Sequence, residues 1–232
     1  VRSEAERAVV GSFPRWKFTG TGRREASPEA LSPDGKWIAG IENYNLALRS
    51  TLDGQQILLT DDGTPLAFWD VEGLLWNPWS SGGRYLAVFK QYTHDMPRIP
   101  VVEWLKPWEK CKEIIAMPAG GTLNRSELYL VDMCSQKPVA IDLGDTTDRY
   151  LRVLSWLRDG TELVLARYDR LFRRVDILAV DALTRSVRTL LTEESATFLG
   201  NHHKSLWSPS SGFALVPDGS RFLWQSERSG FE

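Results

Sequence analysis

No stretch of the 232-residue chain stays apolar over the roughly 18 residues needed to cross a bilayer, so no membrane partner is expected. The first residues, Val1-Arg2-Ser3-Glu4, lack the basic-then-apolar order of a secretory signal. Cytoplasm, periplasm and exterior all stay open as the compartment. An excess of one charge is also missing: 28 Lys and Arg stand against 30 Asp and Glu, a net charge of −2. That gives no long-range attraction for nucleic acid or anionic lipid, and a charged ligand has to be selected locally. Cysteine is scarce, since Cys111 and Cys134 alone make neither a zinc cage nor a disulfide framework. Two free, partly buried thiols are expected, with a single bridge as the alternative. No metal and no cofactor are expected. Helix-period segments long enough for an α/β domain are absent as well, which leaves one all-β domain.

What the sequence has in quantity is one kind of turn. Ser32-Pro33-Asp34-Gly35-Lys36-Trp37-Ile38-Ala39 joins a proline-aspartate-glycine turn to an apolar strand, and the pattern returns at Asn77–Ala87, Arg158–Leu165 and Pro217–Trp224. Proline presets the first turn dihedral, aspartate bonds its own backbone, and glycine takes the positive-φ position of the reversal. Recurrence of such a turn at blade-like spacing reads as a β-propeller of four-stranded blades. Ten tryptophans suit that architecture, because large rings fill the space between packed sheets.

The first unit is expected to contain strands over Lys36–Ile41, Tyr44–Arg49 and Gln55–Thr60, with Asp53-Gly54 as a hairpin turn. The second holds Tyr85–Lys90 and Glu127–Asp132, separated by an excursion in which Pro97, Pro100, Pro107 and Pro118 exclude a central strand or regular helix. A third carries four strands, Leu151–Trp156, Glu162–Tyr168, Val175–Asp181 and Ser186–Thr192. The fourth starts near Trp207 and stops inside a blade at Glu232. Residues 1–31 read as an amino-terminal segment with edge strands and 32–232 as a partial propeller, of about three to four blades where closure takes about four to eight. Open first and last blades expose unpaired backbone groups, so self-association through sheet edges is expected.

Three stretches are narrower than the turns. Tyr92–Pro107 followed by Met117-Pro118-Ala119-Gly120-Gly121-Thr122-Leu123-Asn124 resembles the outer strand, proline-rich loop and turn of dipeptidyl peptidase IV propellers. Asp176–Thr184 resembles the blade strand and turn that follow, and Phe222-Leu223-Trp224-Gln225-Ser226-Glu227-Arg228-Ser229-Gly230-Phe231 resembles a late hairpin of the same domain. The resemblance runs from about Ala30 to Glu232 and implies the amino-terminal propeller of a serine peptidase of the prolyl oligopeptidase superfamily. In that family the propeller precedes an α/β-hydrolase domain with a Ser-Asp-His triad. No G-x-S-x-G nucleophile elbow occurs in this chain, so it is not expected to be catalytic alone. The missing hydrolase domain and a peptide substrate are its implied partners.

Family members that remove dipeptides hold the substrate's amino end with paired glutamates after a tryptophan. The corresponding stretch here is Phe68-Trp69-Asp70-Val71-Glu72-Gly73, where Asp70 and Glu72 stand at alternate positions. On a strand, alternate positions share a face, so amine capture by Asp70 and Glu72 is weighed against a solvated acidic turn. His94-Asp95 is expected to be a surface hydrogen bond, and His202-His203 point to opposite faces of a strand, unfit for one metal. Arg167, Arg170, Arg173 and Arg174 are interleaved with Asp169 and Asp176, which favours a solvated hairpin over a nucleic-acid surface. The leading reading is a substrate-gating, peptide-positioning propeller, and the alternative is a non-enzymatic interaction scaffold of the TolB or WD-repeat kind.

Overall fold

The computed structural model describes residues 29–71, 78–102, 112–157, 160–199, 212–216, 218, 221–226 and 228. Its elements are all strands, grouped into sheets that follow one another along the chain. Strands β1 (Ala30–Leu31), β2 (Trp37–Glu42), β3 (Asn45–Ser50) and β4 (Gln56–Leu58) form the first four-stranded antiparallel sheet. The second is built from β5 (Ala67–Asp70), β6 (Tyr85–Tyr92), β9 (Arg125–Asp132) and β10 (Lys137–Ala140). Between β6 and β9 the chain makes a separate two-stranded ribbon of β7 (Arg98–Val101) and β8 (Lys112–Ile115). The third sheet is β11 (Arg149–Leu157), β12 (Glu162–Asp169), β13 (Arg174–Asp181) and β14 (Val187–Glu194), and β15 (Phe213–Leu215) pairs with β16 (Phe222–Trp224) to open a fourth. The architecture is an incomplete β-propeller.

The recurrent turn joins the first two strands of each blade. Ser32 Oγ donates to Asp34 Oδ1 at 2.7 Å and accepts from Trp37 N at 2.9 Å, while Gly35 takes a φ of 70°. Ser80 repeats the second bond with Tyr85 N at 2.9 Å, and Gly83 has a φ of 69°. Val216 N donates to Arg221 O at 2.9 Å, as Ser32 N does to Trp37 O and Ser80 N to Tyr85 O, both at 2.8 Å. Asp218 thereby aligns with Asp34; Pro217, Gly219, Asp159 and Trp207 lie outside the described residues.

Strand alternation then decides which sheet each side chain meets. On β6, Leu86 and Val88 join the first sheet's Ala39, Leu46 and Leu48 in one core. Tyr85, Ala87 and Phe89 face the other way, against Val153, Leu163, Leu165, Leu178 and Val180 of the third sheet. Beyond β12, Val164, Ala166 and Tyr168 pack with Phe213, Leu215, Phe222 and Trp224 of the fourth. The central strands of the second and third blades, β6, β9, β12 and β13, therefore bury apolar side chains on both faces, which is why these runs lack the polar alternation of a one-sided sheet.

Two indoles set the spacing of the innermost strands. Trp79 Nε1 donates to Ala30 O at 3.0 Å, one blade back, and Trp156 Nε1 donates to Pro78 O at 3.0 Å, again one blade back. Trp156 also stacks on Tyr85 with ring centroids 6.3 Å apart. The first strands thus converge, whereas β4 and β10 alternate only between exposed and half-buried positions and lie on the outside. Trp156 and Leu163 pack in the interface between the second and third blades.

The strand reading holds to within about two residues for β2, β3 and the whole third blade. Ala30–Leu31 pairs with β2 as the first strand of the first sheet. The proline-rich excursion is no central strand, but it does form the β7–β8 ribbon, with Pro100 opposite Glu113 in its ladder. Cys134 corrects the expectation of a partly buried thiol: it is free and exposed in the turn after β9, and Cys111 lies outside the described residues.

Candidate functional site

The innermost strand of the second blade is broken. Asp70 stands opposite Phe89 and Trp79 bridges Leu86, so across this interval β6 advances three positions while the inner chain advances nine. Residues 72–77 of this interval, Glu72 among them, lie outside the described residues. Asp70 ends β5, half-buried, on the face of its cross-strand neighbour Phe89, since Trp69 and Val71 to either side are buried in the core toward the first blade. Glu72 lies outside the described residues, so the pairing of the two carboxylates is not among the contacts here.

Trp69, next to Asp70, is clamped by a polar pair missed in the sequence. Its Nε1 donates to Asp62 Oδ1 at 2.8 Å, and Asp62 Oδ2 takes Lys90 Nζ. The Lys90 ammonium lies 5.3 Å from the Trp69 ring centroid and 5.7 Å from that of Tyr92, a cation over two ring faces. Partial burial alone would raise the Asp62 carboxyl; the bonds from Lys90 and Trp69 outweigh it and hold the group below the usual carboxylate range. A lysine directly after the apolar run Tyr85–Phe89 was the available signal, because a buried ammonium needs a partner.

Past Lys90 the same strands end in hydrogen-bonded side chains. On the first-blade side, Tyr92 and Tyr129 hydroxyls both donate to Glu127 Oε2, at 3.0 and 3.2 Å, and Arg125 pairs with Glu127 Oε1 at 3.3 Å. Burial and the Glu127 carboxylate push both phenols upward, so they stay protonated donors. On the third-blade side, Gln91 Oε1 accepts from Asn124 Nδ2 at 2.7 Å and from Ser126 Oγ at 2.5 Å. Arg170 reaches across to donate to Gly121 O and to Asp148 Oδ1, the latter at 2.9 Å. Of these groups, Tyr92, Asn124, Arg125 and Asp148 line a cleft of about 370 Å³ between the end of β6, the turn before β9 and the loop before β11.

His94 and Asp95 form an exposed pair at that cleft, Nε2 to Oδ2 at 3.1 Å. His202 and His203 lie outside the described residues. The arginine cluster is internally paired: Arg167 and Arg174 meet Asp176 at 2.9 and 3.0 Å, Arg174 also meets Glu194 at 2.7 Å, and Arg173 Nε donates to Thr197 O at 3.3 Å. With Arg170 committed to Asp148, the cluster is a strut inside the third blade. The late hairpin is likewise structural, since Trp224 Nε1 and Ser226 Oγ donate to the buried carboxylate of Glu193 at 2.6 and 2.5 Å.

Residues 12–232 match the family described as the dipeptidyl peptidase IV (DPP IV) N-terminal region. Among solved structures, the dipeptidyl peptidase 4 of Porphyromonas gingivalis superposes with a TM-score of 0.69 at 16% identity, over 83% of this chain and 28% of its own. A Bacteroides ovatus protein assigned as a dipeptidyl aminopeptidase IV superposes with a TM-score of 0.68 at 19% identity, over 89% of this chain and 28% of its own. The chain thus spans little more than a quarter of the length of these structures, and at such identities the likeness concerns the fold.

Proposed function

From a chain that belongs to the dipeptidyl peptidase IV N-terminal region family, we propose a propeller that gates access to a serine peptidase site and positions the peptide's amino end. The hydrolase domain and the triad belong to the proposed parent protein, and the propeller's share is confinement and orientation.

The observation that carries this reading is the interrupted inner strand. Inner strands face the axis of a propeller, and the pairing is interrupted between Asp70 and Trp79, where the acidic stretch of the sequence falls. Asp70, on the rigid clamp of Trp69, Asp62 and Lys90, and Glu72, two positions on, supply carboxylates there. A protonated amino end is bound by such groups through charge-assisted hydrogen bonds, and the distance from that anchor to the nucleophile fixes which bond is cut.

The test uses the parent enzyme with its hydrolase domain. Glu72→Gln and Asp70→Asn are each expected to lower kcat/KM for a free-amine substrate by about tenfold or more, with little change for its acetylated form. An equal change for both substrates would show that the two carboxylates do not hold the amino end.

A further inference from the structure

We propose that Lys90 is a positioning residue for the inner edge of the second blade: bound to Asp62, its ammonium locks the Trp69 indole and so sets the direction in which Asp70 leaves β5. That Asp70 meets the substrate rests on the peptide-positioning reading; that Lys90 places Asp70 stands on the clamp.

Lys90 is 7% exposed, and a buried ammonium is a poor means of holding two blades together. Desolvation of an ion pair offsets much of its attraction, and an apolar side chain of similar volume packs as well or better. What the charge adds is direction. Lys90 stands opposite Trp69 in the ladder with its ammonium 5.3 Å from that ring's centroid, and it donates to Asp62 Oδ2 while the indole Nε1 donates to Oδ1 of the same carboxylate at 2.8 Å. Asp62 is itself held from behind. The next residue, Gly63, donates its N–H to Asn45 Oδ1 at 2.7 Å, and a Cβ on Gly63 would run into Tyr44 O, so only glycine brings Asp62 this close to the turn between β2 and β3. Tyr44 O also accepts from Trp69 N at 3.0 Å. Tyr44 keeps a φ of 71°, an outlier for a bulky side chain that surroundings must enforce and that gathers at functional positions.

All of these anchors act on the residue before Asp70. Asp70 is the last residue of β5, and its ladder with β6 stops at Phe89. Trp69 and Val71 are buried on either side of it, in the core toward the first blade, so strand alternation aims Asp70 the opposite way. Releasing the indole lets the strand end rotate and swings the carboxylate with it, and a displacement of about 1 Å is enough to weaken what it holds. Lys90 lies on the first-blade face with Leu86, Val88 and Trp69, so it acts through Asp70 and not on the peptide.

The experiment is a double-mutant cycle in the parent enzyme with its hydrolase domain, read by kcat and KM for alanyl-prolyl p-nitroanilide. Lys90→Met keeps the stem and removes the charge; it should raise KM about tenfold and leave kcat within about twofold. Lys90→Arg, which meets both a carboxylate and ring faces, should restore the wild-type KM. In an Asp70→Asn background Lys90→Met should add nothing further, because its effect runs through the side chain already replaced. Asp62→Asn, at a carboxylate more than half exposed, should behave as Lys90→Met does, and it carries the cycle if that variant fails to fold. An unchanged KM, a fall in kcat at constant KM, additive losses in the cycle, or no rescue by Lys90→Arg overturns the proposal, and the peptide-positioning reading then stands wherever Asp70→Asn alone raises KM. A wild-type KM in Asp70→Asn overturns both.

Discussion

Replacing Trp79 by β-(3-benzothienyl)alanine keeps the bicyclic ring and removes its N–H, which isolates the bond from the innermost strand of the second blade to that of the first. Trp79 is 2% exposed and donates to Ala30 O at 3.0 Å. The acceptor is not stranded by the change. Ser32 N donates to Trp37 O, and in an antiparallel ladder such exchanging pairs recur at every second residue, which puts Ala30 and its partner Ala39 in one of them. The cost is therefore that of one neutral hydrogen bond, about 0.5–1.5 kcal/mol, and not that of an orphaned carbonyl. The second indole has the same logic, because Pro78 O accepts from Ala87 N at 3.0 Å as well as from Trp156. Each replacement should lower Tm by roughly 2–4 °C per kcal/mol in a chain of this size, read by thermal melts at far- and near-ultraviolet wavelengths. Trp79→Ala, which also empties the ring site, should cost about 3–5 kcal/mol. If the benzothienyl variant melts with the wild type while Trp79→Ala does not, ring packing alone sets the blade spacing and the bond argument fails.

Asp176 is nearly buried and accepts from Arg167, Arg174 and Thr192; burial would raise its carboxyl, but these bonds prevail and lower it. A depressed native value means stability that is full above about pH 4 and lost as pH falls through that value. Asp176→Asn should cost about 2–3 kcal/mol at pH 7, less than for fully buried pairs because Arg174 is half exposed. It should also flatten part of the acid limb; an unchanged slope of stability against pH in urea titrations between about pH 2 and 4 would contradict this. Gly160→Ala meets both a φ of 85° and Ser80 Cβ at 2.7 Å, whereas Gly35→Ala meets a φ of 70° with open space around it. The first should destabilise by about 3 kcal/mol and the second by about 1, and equal losses would mean that turn-to-turn contact between blades carries nothing. Leu223 is 66% exposed beside Ala214 on the outer face of the β15–β16 pair. Light scattering should show self-association that rises with concentration and is reduced by Leu223→Lys, and a strictly monomeric wild type would count against edge pairing.

The repeating turns and the strands they feed were legible in the sequence, because each depends on local chemistry: a glycine at positive φ, a proline preset, an apolar run after the turn. Asp34-Gly35 and the four strands of the third blade needed no tertiary information. The clamp of Asp62, Trp69 and Lys90 was not legible, since Asp62 and Lys90 are 28 positions apart and only blade stacking brings them together. Arg170 misled in the other direction. In sequence it belongs to a basic cluster; in the fold its two partners, Gly121 and Asp148, come from segments 49 and 22 positions away and turn it into a tie between cleft walls.

The same division holds for the inner strand of the second blade. The residues Trp69-Asp70-Val71-Glu72 announced an acidic segment, but the break in pairing between Phe89 and Leu86 is a property of register, and register is set by the partner strand. By itself the sequence determined the turns, the strands and the order of the blades, because turn chemistry and strand propensity are local. Which carboxylates stand at the inner edge, which line the cleft and which merely brace a blade was decided only in the tertiary structure, where burial and long-range pairing give identical side chains different surroundings.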